Sequence, residues 1–259
     1  MIPRCHLFEV EDQSWCPGWL RDAMTGYLHT IISLSRPYSP AVPLLAALLK
    51  EQGATTVVDL CSGAGGPWPA LRSELAARGA AVTVTCTDLA PNVEAARRLE
   101  GVEGFRYLTR PVSALAVPST LGGARTMFSA LHHFSPQDAH ALLADAQAAG
   151  VPFAAFEASS RRWTGLLATL VIPFAALALM PIVRPRRVVA LWFTYLPPLV
   201  PLAIWWDGFV STLRTYRAEE LRTIVRSLPA ASYEWTVEEL PGGPLPVLAI
   251  LGRPRGSQR

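Results

Sequence analysis

Residues 57–71, VVDLCSGAGGPWPAL, constrain the fold of this chain more than any other stretch. Two valines lead into Asp59 and Leu60; small residues with Gly63, Gly65 and Gly66 follow; Pro67 then opens a helix-like tail. β-Branched residues suit a buried strand. Glycines allow tight, left-handed backbone and leave no side chain to hold a ligand away. A helix that starts just after such a bend offers free backbone N–H groups to an incoming ligand. A strand tipped by an acid, turning at once into a helix, is therefore a unit for gripping a polar ligand at its bend.

The same alternation continues on both sides of the bend. Thr55–Leu60 reads as a buried strand and Pro67–Arg78 as a helix stopped by Gly79. Ala81–Thr87 is a second strand, Asn92–Leu99 a helix, and Phe105–Leu108 a third strand. Arg125–Leu131 is a fourth, Pro136–Ala149 a helix begun near Ser135, and Val151–Glu157 a fifth strand. Strands alternating with helices over short connections predict a parallel sheet covered on both faces. Upstream, apolar pairs from Trp19 to Ile32 recur about every four residues, an amphipathic helix; Pro40–Lys50 is a second. Near the end, Tyr233, Trp235 and Val237 alternate with polar residues, then PGGP precedes the apolar run Leu245–Leu251. These predict an antiparallel pair closing the sheet.

Composition narrows the function. Charged residues are only 17% of the 259, and the net charge of +3 is spread without a basic face, which argues against nucleic acid as a partner. The four cysteines (Cys5, Cys16, Cys61, Cys86) lack CxxC spacing, and the opening MIPRCHLFEVEDQ lacks the apolar core of a signal peptide. Reduced thiols in a cytoplasmic chain are expected. No acidic cluster points to an essential metal.

Asp88 ends the second strand, where an acid can take ribose hydroxyls. Together with Asp59 it argues for an adenosine-containing ligand. A dinucleotide turn needs G-x-G-x-x-G/A, but here bulky Trp68 stands where the third small residue belongs. The acid before the glycines instead resembles motif I, D-x-G-x-G-x-G, of the class I S-adenosylmethionine (SAM)-dependent methyltransferases. Asp59, Gly63 and Gly65 match it, with Cys61 in place of the first glycine. TDLAPN, residues 87–92, is similar to that family's second motif, which makes Asp88 the ribose acid and places Leu89 near the adenine. Val112 and Ser113 stand where the family often has an acid for the adenine amino group, so Ser113 is a candidate there. SALHHFSP, residues 129–136, resembles the fourth-strand motif of small-molecule methyltransferases, whose strand end faces cofactor and substrate, and so includes Ala130 in the cofactor site.

The resemblance implies a Rossmann-like class I methyltransferase fold, α/β, with a mostly parallel seven-stranded sheet and an antiparallel last strand. Residues 1–52 would form an N-terminal helical cap, 53–160 the SAM-binding core, 161–209 an apolar helical insert and 210–259 the completion of the core. It also implies SAM as cofactor and methyl transfer to a small molecule. His132 and His133 follow the fourth strand, and either could take a proton from a hydroxyl acceptor. Capping or packing is the alternative for both. Glu157 is a second polar candidate beside the acceptor, or else a solvated loop acid. Trp15, Tyr27 and His29 could line the substrate side, although a packing role is the plainer reading for each.

The insert is the chain's oddest part. Trp163–Val183 and Val188–Trp206 carry no charge, and Arg184–Arg187 (RPRR) lies between them. Each run is long enough to span a bilayer, but a hairpin would put the arginines outside, against the positive-inside tendency. Three readings stay open: a shallow insert in the cytoplasmic leaflet, a soluble helical lid, and a two-span hairpin broken near Pro197. The first two imply an apolar acceptor, a lipophilic small molecule or lipid. Two rivals to the enzyme remain. One is a non-catalytic SAM-binding protein anchored by the insert; the other is a nicotinamide-dependent oxidoreductase.

Overall fold

The computed structural model describes residues 2–229, 233–241 and 245–255. Helices α1 (Gly18–Ser35) and α2 (Val42–Glu51) precede the sheet. The alternation then runs β1 (Thr56–Leu60), α3 (Trp68–Ala77), β2 (Thr83–Cys86), α4 (Val93–Leu99), β3 (Phe105–Tyr107), β4 (Ala124–Phe128), α5 (Pro136–Ala148) and β5 (Phe153–Glu157). Four helices make the insert: α6 (Trp163–Thr169), α7 (Ile172–Leu179), α8 (Val188–Tyr195) and α9 (Leu199–Arg214). The chain closes with α10 (Ala218–Arg226), β6 (Tyr233–Leu240) and β7 (Val247–Pro254).

The strands lie in the order β3-β2-β1-β4-β5-β7-β6, and β7 runs against both its neighbours. β1 pairs with β2 on one side and β4 on the other, so the order reverses there. In open α/β sheets ligands bind outside the carboxyl ends of the strands at such a switch point. Asp59 sits at that end, opposite Cys86 on β2 and Thr126 on β4. One face of the sheet packs Leu45, Leu49, Trp68 and Leu75 from α2 and α3. The other packs Leu142 and Leu143 from α5 with Leu221 from α10. Strands buried on both faces explain why β4 and β5 read as unbroken runs rather than alternating ones.

Two expectations shift. The fourth strand stops at Phe128, not Leu131, because Ser129 takes a left-handed φ of 44° and turns the chain into a short 3-10 helix, Leu131–His133. Ser129 Oγ accepts the Tyr38 hydroxyl at 2.6 Å and the Ala158 N–H at 3.3 Å, which fixes that turn. The expected insert boundary at 209 falls inside α9, which continues to Arg214. Of the closing PGGP, Gly242–Pro244 lie outside the described residues.

Among the described residues no single helix is long and apolar enough to cross a membrane. The second uncharged run breaks at 196–198, and α8 meets α9 at 81°. The insert packs its own small core on α1: Met180, Val183, Val200 and Ile204 meet Ala23, Met24 and Tyr27. Gly26 makes that approach close, since a Cβ there would lie 2.5 Å from the Arg184 carbonyl oxygen. The outer face is left apolar and open. Trp163, Phe174, Val188 and Leu196 are each more than two-thirds exposed.

Candidate active site

The first half of the site is built on the bend after β1. Asp59 is 1% exposed, and its carboxylate accepts from Ser62 Oγ at 2.6 Å and Thr126 Oγ1 at 2.7 Å. It thus ties the start of the loop to β4 from below rather than facing outward. Burial pushes its carboxyl up to about 6, partly offset by those hydrogen bonds. Cys61 holds a φ of 55°, the left-handed backbone that the glycine of motif I would supply without strain. Burial and the Asp88 and Asp59 charges push its thiol far up, which favours the neutral form.

Above this base the loop is open. Gly63 has a φ of 49°, and a Cβ there would meet no atom within 4 Å. Asp88 stands at the loop's mouth, its Oδ2 accepting the Gly63 N–H at 2.8 Å and its Oδ1 the Ala90 N–H at 2.9 Å. Burial raises its carboxyl above the usual range. Leu89 beside it is 66% exposed and free to cover a flat ring. Val112 is buried, and its N–H donates to the Asp88 carbonyl, which sets Ser113 next to that strand tip. Ser113 Oγ accepts from the Leu115 N–H at 3.2 Å. Gly65 (φ 98°) lies against Leu99, and Ala130 is buried in the turn after β4.

Three supports of the loop carry no family motif. The Tyr107 hydroxyl donates to the Gly63 carbonyl at 2.7 Å and accepts the Asn92 N–H at 3.0 Å. Arg98 donates to the Ala64 carbonyl at 2.7 Å. His29 of α1 places Nδ1 3.3 Å from the Gly66 carbonyl oxygen, so the N-terminal cap touches the bend directly. Tyr27 is buried against the insert, and Trp15 is exposed.

The second half of the site gathers at β5. Glu157 is not a solvated acid: it is 2% exposed, with Oε1 accepting the Leu131 N–H and Oε2 2.8 Å from His132 Nδ1. The Glu157 carboxylate, an acceptor only, places a proton on His132 Nδ1. Nε2 is buried, lacks a hydrogen-bond partner among the described residues, and faces Glu9 Oε1 at 3.9 Å. The His133 ring lies tilted by 32° against that of His132, 4.3 Å between ring centres, with Nδ1 3.2 Å from Asp12 Oδ2. Burial alone would lower its pKa, but the Asp12 hydrogen bond and the Glu9 and Glu11 charges outweigh it and raise it to about 10. The Asp12 and Glu9 carboxylates beside it thus favour the protonated form of His133.

Glu9 and Asp12 were invisible from the sequence, more than 100 residues from the histidines. They arrive on an N-terminal segment latched by α9. Asp207 accepts the Val10 and Glu11 N–H groups at 2.6 and 3.0 Å; Ser211 donates to Glu9. Arg214 pairs with Glu9 Oε1 at 3.1 Å and Asp12 Oδ2 at 2.9 Å. Positions 207, 211 and 214 share one helical face. That polar stripe closing an apolar run was the available signal. Glu9, His132 and His133 also hold ligand-type atoms within 4.8 Å of one another, a set able to share a divalent cation. Arg214 already compensates the Glu9 charge.

No family model and no curated protein match this chain. Solved structures do. The plantazolicin methyltransferase BpumL, solved with S-adenosylhomocysteine (SAH), matches over 92% of this chain and 96% of its own, at TM-score 0.55 and 8% identity. The SAM-dependent methyltransferase SibL matches over 84% of this chain and 56% of its own, at TM-score 0.51 and 18% identity. A protein from Rhodobacter sphaeroides, solved under the name of a Zn-dependent alcohol dehydrogenase, matches over 96% and 100%, at TM-score 0.54 and 14% identity. With its strand order and antiparallel β7, the chain has the class I methyltransferase fold. At these identities the likeness speaks for the fold, and the site must speak for the chemistry.

Proposed function

We propose that this chain is a SAM-dependent methyltransferase acting on a lipophilic small molecule or lipid, with the methyl group passing to oxygen. The carrying observation is the open backbone at Gly63 with Asp88 at its mouth. Trp68 counts against a nicotinamide dinucleotide. It is fully buried and edge-on to Phe128 at 5.7 Å, filling the space where a dinucleotide turn needs a small residue for close helix–strand packing.

Asp88 would hold the ribose, Leu89 and Ser113 the adenine, and the backbone of Cys61, Gly63 and Gly65 the amino-acid end. Asp59 acts through the loop that it braces. Ala130 closes the side next to β4. When bound, SAM supplies an activated methyl group. The chain's own part is to align the acceptor, exclude water and take the hydroxyl proton. We assign the proton to His132 Nε2, with Glu157 as the positioning residue that holds the Nδ1 proton. Glu9 Oε1 lies 3.9 Å from Nε2.

The apolar outer face of the insert supports a resting place on the cytoplasmic membrane surface. Arg184 and Arg186 are exposed at its edge, where anionic headgroups would meet them. Trp163 and Trp192 suit the interface. Incubating the protein with labelled SAM and membrane lipid extract should give SAH and a labelled apolar product. His132→Ala should lower turnover by about 10²–10⁴-fold with SAM binding intact. SAM binding without SAH formation from any apolar extract would leave the non-catalytic rival.

A further inference from the structure

A cavity opens at the root of the insert, apart from the glycine loop, with a volume of about 380 Å³. It lies where the chain leaves β5, beside the first turn of α10 and the edge of β6. Four arginines line it: Arg161 and Arg162 after β5, Arg217 at the N-cap of α10, and Arg222 one turn into that helix. Ser159, Ser160 and the N-terminal residue Ala218 complete the polar wall. Two acids face the same space, Glu219 and Glu239.

The acids do not cancel the arginines. Glu239 pairs with Arg162 at 2.6 Å and Glu219 pairs with Arg222, both between exposed side chains. Such surface pairs are worth little and exchange readily for a better anion. Arg161 differs from them. Its side chain is fully buried and its Nη2 pairs with Glu220, yet Nε and Nη1 have no partner among the described residues. A buried guanidinium with two unmet donors is costly, and its planar fork matches the oxygens of a phosphate. The N-terminal end of α10 adds backbone dipoles of the same sign.

The geometry points to a binding site for a phosphate ester in this cavity. A bare phosphate would fill only part of the volume, so the ligand carries an organic group. The same chemistry has two sources: a soluble phosphorylated metabolite, or the headgroup of a phospholipid in the surface beside Trp163, which opens the insert next to Arg162.

The test uses the full chain and two probes. Melting is followed against glycerol 3-phosphate, with chloride at matched ionic strength as control. Binding is followed by flotation with phosphatidylcholine vesicles, with and without phosphatidylglycerol. A saturable rise in melting temperature with glycerol 3-phosphate, weakened tenfold or more in Arg161→Lys and Arg222→Gln, identifies a soluble ligand. No response to glycerol 3-phosphate, together with extra binding to the anionic vesicles that the same substitutions abolish, identifies a headgroup. If Arg161→Lys fails to fold, Arg162→Gln with Arg222→Gln carries the test. Should neither probe give a response sensitive to these arginines, the site does not exist.

Discussion

At the residue scale, Cys61 and Asp59 show how the bend is held. A non-glycine residue in left-handed backbone is strained, and a β-branched one more so. Cys61→Gly should therefore keep stability within about 1 kcal/mol and leave SAM binding intact. Cys61→Val should cost roughly 1–3 kcal/mol in chemical denaturation. Asp59 sets a pH dependence. Its folded carboxyl is raised to about 6 from an ordinary 3.8, so the folded state holds the proton more tightly. Its stabilising contribution is complete below about pH 4 and lost as pH rises through 6. The stability of Asp59→Asn relative to the parent should thus improve by roughly 2 kcal/mol from pH 4 to pH 7. A flat difference between the two would show that the carboxyl titrates normally. Position 59 was legible as a motif acid; its inward aim was not, because Ser62 and Thr126 meet it only once β1 and β4 pair.

At the element scale, alternation made the sheet readable. Four of the five predicted core strands lie within one or two residues of the observed ones. β4 overshot because only the fold shows that Ser129 is held left-handed by Tyr38 from α2's approach and by Ala158. The latch between α9 and the N-terminal segment was not readable, since it joins residues some 200 positions apart. Two backbone N–H groups donating to the buried Asp207 carboxylate should hold residues 9–12 firmly. Asp207→Ala should raise hydrogen exchange at Val10 and Glu11 tenfold or more while leaving β1 and β4 protected. Equal protection in parent and variant would mean that the segment is held by its other contacts.

For the whole molecule, the sheet, its switch point and the closing antiparallel pair followed from the spacing of strands and helices. The insert did not follow. Uncharged runs of that length fit a lid, a membrane surface or a span equally well, and the packing on α1 and the break at 196–198 emerge only in the fold. A donor site at the switch point and an exposed apolar face on the insert thus belong to one molecule. In vesicle flotation, Phe174→Asp with Trp192→Asp should abolish binding while SAM affinity stays unchanged; retained flotation would detach the insert from the membrane. The donor site itself is tested most directly by titrating SAM and SAH into the folded full-length chain in a calorimeter. One saturable site is expected for each ligand, with affinity lowered at least tenfold by Asp88→Ala. Absence of heat from either ligand on protein shown to be folded would contradict it.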